Sequence, residues 1–331
     1  MEPFLISHMR WPVAGSFRIS RSALTQIDVV QVTLHYDGVT GRGECRPYKR
    51  YNDSVESVTA QLEAIRGDVT DYLTRGALTP EIIAGLLPAG PALNALDCAL
   101  WDLRAKLAGR PVWDLLGIDA PKARQTAYTL SLDTPDNMAK AAIKAAAYPL
   151  LKIKIGQDDT IACVRAICAA RPEARLIVDA NEAIDTASLP AFSAAMTGLN
   201  IALIEQPLPA GQDGPNSLTG DLPYCADESL HTAADLPRLK AAGYRAVNVK
   251  LDKCGGISAA LKLMNTAKTM GFDVMAGCMV GSSLAMAPMM VLESLADYID
   301  LDGPLLLAKD CENGLTYDGP LVHPPSSKLW G

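Results

Sequence analysis

Residues 150–156 read "LLKIKIG". The run is apolar enough for a buried strand, yet it carries Lys152 and Lys154 two residues apart. Positions i and i+2 share one face of a strand, so the two lysines point the same way. Ile153 and Ile155 point the other way. In a closed barrel the lysine face is the interior, and Gly156 opens the loop at the C-terminal mouth, where barrel active sites are built.

Working outward, the next strands repeat the motif with acids. Asp179 ends "LIVD", Glu205 ends "ALIE", Asp227 ends "YCAD" and Lys250 ends "VNVK". The steps from Lys154 are 25, 26, 22 and 23 residues, each about one βα unit. Five consecutive strands therefore bring one charged group to the same level of one mouth. A single charge at a strand end is ordinarily a surface group or a satisfied ion pair; five in succession on apolar strands are not.

The texture around them agrees. From about residue 124, the strands "TAYTLS", "LLKIKIG", "RLIVDANE", "IALIEQPL", "LPYCADES", "AVNVKLDK", "FDVMAGCMVG" and "DYIDLDGP" alternate with alanine-rich helical stretches. One of these is "TPDNMAKAAIKAAA", where Thr134 suits a cap and Pro135 the first turn. Eight strands in this alternation predict an α/β protein with a parallel barrel. Little that looks helical follows the eighth strand, and no glycine-rich phosphate loop favours an open doubly wound sheet. Before residue 120 the order differs. "IDVVQVTLHY" followed by "DG" reads as a hairpin strand, and "PALNALDCALWDLRAKLAGR" reads as a helix with Leu93, Leu96, Leu100, Leu103 and Leu107 at helical spacing, stopped at Gly109 and Pro111.

The chain has 331 residues, 49% of them hydrophobic and 20% charged, with a formal net charge of −7. That balance, with no basic run, argues against nucleic acid as a partner. No apolar stretch of about 18 residues is present, so no membrane span is expected. The start lacks the pattern of a signal peptide. The eight cysteines are irregularly spaced, with no C-x-x-C pair, as in a reducing compartment. The expectation is a cytoplasmic protein.

Three carboxylates converging on one point repel one another unless a cation sits among them. All-oxygen ligation by Asp179, Glu205 and Asp227 suits a hard divalent ion, Mg2+ first and Mn2+ second. The order K, D, E, D, K sets the lysine strands on opposite sides of the metal strands. Such a pair can take a proton from one face of a carbon and return it to the other, with the metal stabilising an enediolate. Lys152 beside Lys154 lowers the pKa of the base. Lys253, three residues beyond Lys250, falls off its face and outside the chemistry. Asp300 and Asp302 again share one face, at the end of the eighth strand; a turn cap before Gly303 and Pro304 would account for one of them but not both.

Together, "KIKIG", "VDANE", "IEQPL", "ADES" and "VKLDKCGG" resemble the muconate-lactonizing subgroup of the enolase superfamily, over nearly the whole chain. The resemblance implies a modified (β/α)7β barrel (123–318) under an N-terminal α+β capping domain (1–122), with residues 319–331 returning toward the cap. It implies Lys154 and Lys250 as the acid/bases and Asp179, Glu205 and Asp227 as Mg2+ ligands. Lys152, Thr129 and Cys278 would contact substrate, and Asp300 and Asp302 would bind a free ammonium group, as in the family's dipeptide epimerases. Racemases of N-acylated amino acids and cycloisomerases lack that aspartate pair. The expected reaction is epimerisation of a dipeptide at its C-terminal α-carbon; the alternatives are N-acylamino acid racemisation or cycloisomerisation. The expected partners are a small dipeptide and, as an option left open, a second copy of the chain. A Schiff-base lysine would leave the acids idle, and a non-catalytic binding module predicts a missing ligand or base.

One position departs from the pattern. In Glu-specific relatives a cap loop supplies an arginine for the substrate's side-chain carboxylate, and here "FRISRSALTQIDVV" puts Leu24 there, with Arg18 and Arg21 as the nearest substitutes. The expectation is therefore either a C-terminal Glu, as in those relatives, or a different residue, an apolar one included.

Overall fold

The computed structural model describes residues 2–19, 22–156 and 159–331. Three antiparallel strands open it, β1 (Phe4–Ile19), β2 (Ser22–Tyr36) and β3 (Val39–Cys45). The "DG" turn joins β2 to β3 with Asp37 and Gly38 both at positive φ, the conformation a tight hairpin requires. The helices α1 (Val55–Ala64), α2 (Arg66–Thr74), α3 (Pro80–Leu86) and α4 (Pro91–Ala108) then cover this sheet. Gly43 lets α4 lie directly on β3: a β-carbon there would stand 2.2 Å from the Ala95 carbonyl.

The leucine stripe of α4 explains its position. Leu93, Leu96, Leu100 and Leu103 enter the cap core, whereas Cys98, Trp101 and Ala105 enter the barrel core. The helix is buried on both sides and ties one core to the other. Leu107 is the exception, 40% exposed one turn before the stop.

A short helix α5 (Val112–Leu116) and strand β4 (Arg124–Gln125) lead into the barrel. Its strands are β5 (Tyr128–Leu130), β6 (Leu150–Lys154), β7 (Arg175–Asp179), β8 (Ile201–Glu205), β9 (Tyr224–Ala226), β10 (Ala246–Val249), β11 (Asp273–Ala276) and β12 (Tyr298–Ile299), all parallel and in sequence order. The ring closes where Ala127 N donates to the Ile299 carbonyl at 2.8 Å. Between the strands run α6 (Pro135–Lys144), α7 (Thr160–Ala170), α8 (Leu189–Met196), α9 (Leu236–Ala242), α10 (Leu251–Cys254), α11 (Ile257–Thr269) and α12 (Ser283–Val291). Thr134 caps α6 through its hydroxyl, which accepts from Asn137 N. No helix follows β12; a 3-10 turn at Gly303–Leu306 takes its place, and the chain then pairs β13 (Tyr317–Asp318) and β14 (Leu321–Val322) with β4. The fold is a (β/α)7β barrel beneath an antiparallel capping domain.

Strand alternation sorts the side chains into two cores. Leu151, Ile153 and Ile155 face the helices. Leu150, Ile177, Leu203, Cys225 and Ala246 fill the barrel's interior floor together with Met275, the first five standing two or four residues before the charged positions on the same inward faces. The C-terminal residues run back over α4: Trp330 Nε1 donates to the Cys98 carbonyl at 3.0 Å, and Arg42 holds the Leu329 carbonyl at 2.8 Å.

Candidate active site

All five strand-end charges project into the mouth and are buried. They do not share one rung. The ladder pairs Lys154 with Asp179 and Asp179 with Glu205, but Glu205 stands opposite Cys225, so Asp227 lies two residues further along. The single level expected from the spacing becomes a stagger, because barrel closure requires the strands to shear past one another.

The acids and bases pair closely. Lys152 Nζ lies 2.7 Å from Glu205, 2.7 Å from Asp300 and 3.1 Å from Asp179. Lys154 Nζ donates to Asp179 Oδ2 at 2.5 Å, and Lys250 Nζ to Asp227 Oδ2 at 2.7 Å. Lys253 does belong here: its Nζ holds the other Asp227 oxygen at 2.6 Å and the Asn248 carbonyl at 3.1 Å. Counting three residues on from Lys250 as strand failed because the strand ends at Val249; α10 begins at Leu251 and turns Lys253 back under the carboxylate.

Two acids are driven toward the protonated form. Burial, with Asp179 alongside, pushes Glu205 up to about 8 despite Lys152. Burial and the neighbouring Asp300 push Asp302 up to about 7. Asp179 and Asp227 go the other way: burial would raise them, but Lys154 and Lys152, and Lys250 and Lys253, hold them below the usual carboxylate range. Lys152 and Lys250 are raised by the carboxylates around them against the opposing effect of burial. Burial also keeps the Cys278 thiol protonated.

Among the described residues no three acids, histidines or cysteines already surround a common metal position, because the ammonium groups occupy the places between the carboxylates. The donor set nonetheless fits a hard divalent cation. Glu205 Oε2 meets only the Lys152 ammonium, at 2.7 Å and outside hydrogen-bond geometry. Asp300 Oδ1 is buried without a hydrogen bond, and six buried carboxylates (Asp179, Glu205, Asp227, Glu228, Asp300 and Asp302) face four buried lysines.

The aspartate pair is not a turn cap. Asp300 holds Lys152, and Asp302 Oδ2 accepts from Thr129 N at 2.6 Å. Thr129, Cys278 and Leu24 line the same cavity as the lysines, Asp227, Asp300 and Asp302. Arg21 and the Arg18 side chain lie outside the described residues. The cavity is small, about 70 Å3, while a groove of about 1020 Å3 runs outside the barrel along Thr160, Asp185 and Phe192. Volume favours the groove. The mouth is the candidate site, since there the paired acids and bases converge.

Several participants were not anticipated. Asn248 Nδ2 donates to Glu205 Oε1 at 2.7 Å; its signal was present, a polar residue two before Lys250 on an apolar strand. Glu228 and Asn181 pair across two strand ends, Nδ2 to Oε1 at 3.4 Å. Gln206, at a strained φ of 36°, accepts from Asp227 N and Ser229 N and so positions that loop. The cap adds Arg46, Tyr48 and Tyr51 to the cavity wall, and Arg50 clamps the barrel loop through Glu182 at 2.6 and 2.7 Å.

With this geometry in view, the sequence comparisons are direct. Residues 3–117 match the mandelate racemase / muconate lactonizing enzyme N-terminal domain, and residues 136–326 the enolase C-terminal domain-like family. The chain belongs to this family of the enolase superfamily and is an isomerase.

It is 47% identical to an N-acetyl-D-glutamate racemase from Pseudoalteromonas, over 88% of this chain and 91% of that one. It is 42% identical to the L-Ala-D/L-Glu epimerase of Escherichia coli K12, over 95% and 97%. An enolase family member from Agrobacterium tumefaciens with homology to dipeptide epimerases, solved with sodium and L-Ala-L-Glu, superposes with a TM-score of 0.94 at 45% identity and 99% coverage of both chains. A dipeptide epimerase from Methylococcus capsulatus, complexed with Mg and L-Arg-D-Lys, gives 0.87 at 28% identity, covering 97% and 96%.

Proposed function

We propose that the protein epimerises a dipeptide at the α-carbon of its C-terminal residue by a two-lysine proton transfer dependent on Mg2+, with Mn2+ as a substitute. The observation that carries this reading is the flanking of the acid run. Lys154 reaches Asp179 from one side and Lys250 reaches Asp227 from the other, at 2.5 and 2.7 Å.

Asp179, Glu205 and Asp227 would hold the cation. When bound, it supplies positive charge against the negative charge that builds on the substrate carboxylate as the α-proton leaves. The mouth is too small for a dipeptide as it stands, so Lys154 and Lys250 must swing off their carboxylates, and their amines then approach the α-carbon from opposite faces. One removes the proton and the other returns it. Lys152 neutralises the substrate carboxylate, Asp300 and Asp302 accept the free ammonium group, and Thr129 and Cys278 line its surroundings. The division into a cap (1–122), a barrel (123–318) and a returning segment (319–331) belongs to this proposal, the cap closing the mouth against water.

A second reading is racemisation of an N-acylamino acid, supported by the 47% identity to an N-acetyl-D-glutamate racemase, even though the aspartate pair suits an ammonium group. Incubation in D2O with Mg2+ and parallel panels of L-Ala-L-Xaa and N-acetyl-Xaa, read by mass spectrometry, separates the two. Mg2+-dependent deuterium uptake at Xaa in the dipeptides, lost in Lys154→Ala and Lys250→Ala, is the expected result. Uptake confined to the N-acetyl panel would replace the first reading with the second, and none in either panel, from protein that binds Mg2+, would sink both.

A further inference from the structure

Leu24 leaves the cavity without the arginine expected at that position, but the cavity has another cation. Arg46 is only 9% exposed and lines it together with Leu24, Tyr48, Met279, Val280 and Leu306. Its guanidinium makes one hydrogen bond, Nη1 to the Val280 carbonyl at 3.3 Å, and lies 5.9 Å from the Tyr48 ring centre. Among the described residues no carboxylate stands within ion-pair distance of it. The acid next to it in the fold, Asp252, is engaged with the Arg46 backbone N–H at 3.0 Å and with Asn94 Nδ2 at 2.9 Å. A buried guanidinium with most of its donors unused is costly unless an anion completes it, and its planar fork matches a carboxylate.

We propose that Arg46 selects the substrate's side chain, binding the carboxylate of an acidic C-terminal residue from the cap side in place of the arginine absent at position 24. The assignment rests on the dipeptide reading of the mouth and deepens it. It chooses an acidic residue over an apolar one: Leu24, Met279 and Leu306 line the methylene part of the side chain, and Arg46 ends the pocket. The low-dielectric wall strengthens the charge-assisted pair.

The test is calorimetric binding in Mg2+ of L-Ala-L-Glu against its neutral near-isostere L-Ala-L-Gln, to the native protein and to Arg46→Gln, which keeps a donor for the Val280 carbonyl. The native protein is expected to prefer Glu by tenfold or more and the variant to lose that preference while holding L-Ala-L-Gln with little change. Equal affinity for the two ligands in the native protein overturns the assignment, as does a preference that survives in Arg46→Gln or no binding of either. A Glu preference that Arg46→Gln abolishes, in protein that exchanges no deuterium, upholds Arg46 as the receptor and rejects the epimerase reading alone.

Discussion

Asn248 and Glu205 are joined across the barrel mouth, Nδ2 to Oε1 at 2.7 Å, although they come from strands that are not neighbours. The amide reaches over β9 to fix one oxygen of an acid whose charged form burial disfavours. Gly277 permits this, since a β-carbon there would stand 2.1 Å from Asn248 Oδ1.

Both residues can be used to test the proposed cation site. Asn248→Leu leaves Glu205 Oε1 unpaired, and Gly277→Ala pushes the amide aside. Each is expected to weaken Mg2+ binding by roughly 10-fold or more, the usual size of a lost supporting contact to a metal ligand. Isothermal titration with Mg2+ reads the effect, and unchanged affinity in both variants would remove Glu205 from the ligand set.

The aspartate pair predicts which substrates suffer from its loss. Asp300→Asn frees Lys152 of one of its three carboxylates and removes a charge facing an ammonium group. Turnover of dipeptides is expected to fall by 10-fold or more, while any activity on N-acetyl substrates, which carry no such charge, changes far less. Equal losses for both classes would argue that Asp300 acts only through Lys152.

Lys253 is expected to matter for stability before it matters for rate. Lys253→Met strips one of two ammonium partners from buried Asp227, and breaking such a pair costs about 3–5 kcal/mol. Saturating Mg2+ should recover much of the loss, because a cation at Asp227 replaces the missing charge. Thermal unfolding with and without Mg2+ measures both; a loss that Mg2+ leaves untouched would separate Lys253 from the cation site.

Cap docking carries its own pH dependence. Asp97 accepts from Ser258 N and Oγ at 3.0 and 2.7 Å, and burial pushes it up to about 6, as it does Asp252. An acid whose pKa is higher folded than unfolded contributes stability that is full below about pH 4 and lost as pH rises through 6. Two units correspond to roughly 3 kcal/mol per group at most. The melting temperature of Asp97→Asn, whose amide does not titrate, should therefore gain on that of the native protein between pH 4.5 and 7. A constant difference across that window would contradict the assignment.

Much of this architecture was legible because it depends on local periodicity. The alternation of strand and helix, the inward face shared by Lys152 and Lys154, and the steps of one βα unit between charges all follow from the geometry of single elements. The aspartate pair was readable for the same reason. Leu107 breaks its own stripe because the helix end overhangs the core, which periodicity does not encode.

The residues missed have a common cause. Asn248, Lys253 and Arg46 act across distances of 43, 26 and 234 residues, on Glu205, Asp227 and Val280; strand alternation marks Asn248 as facing inward, but no pattern within one strand or helix says which distant group each of the three meets. The sequence by itself determined which residues face the barrel interior and which chemistry they bring, since side-chain direction is set by the two-residue strand repeat. Only the tertiary structure decided how those charges pair, how barrel shear staggers them, and which cap residues line the cavity beside them, because those relations arise when distant segments pack and mutually bury their charges.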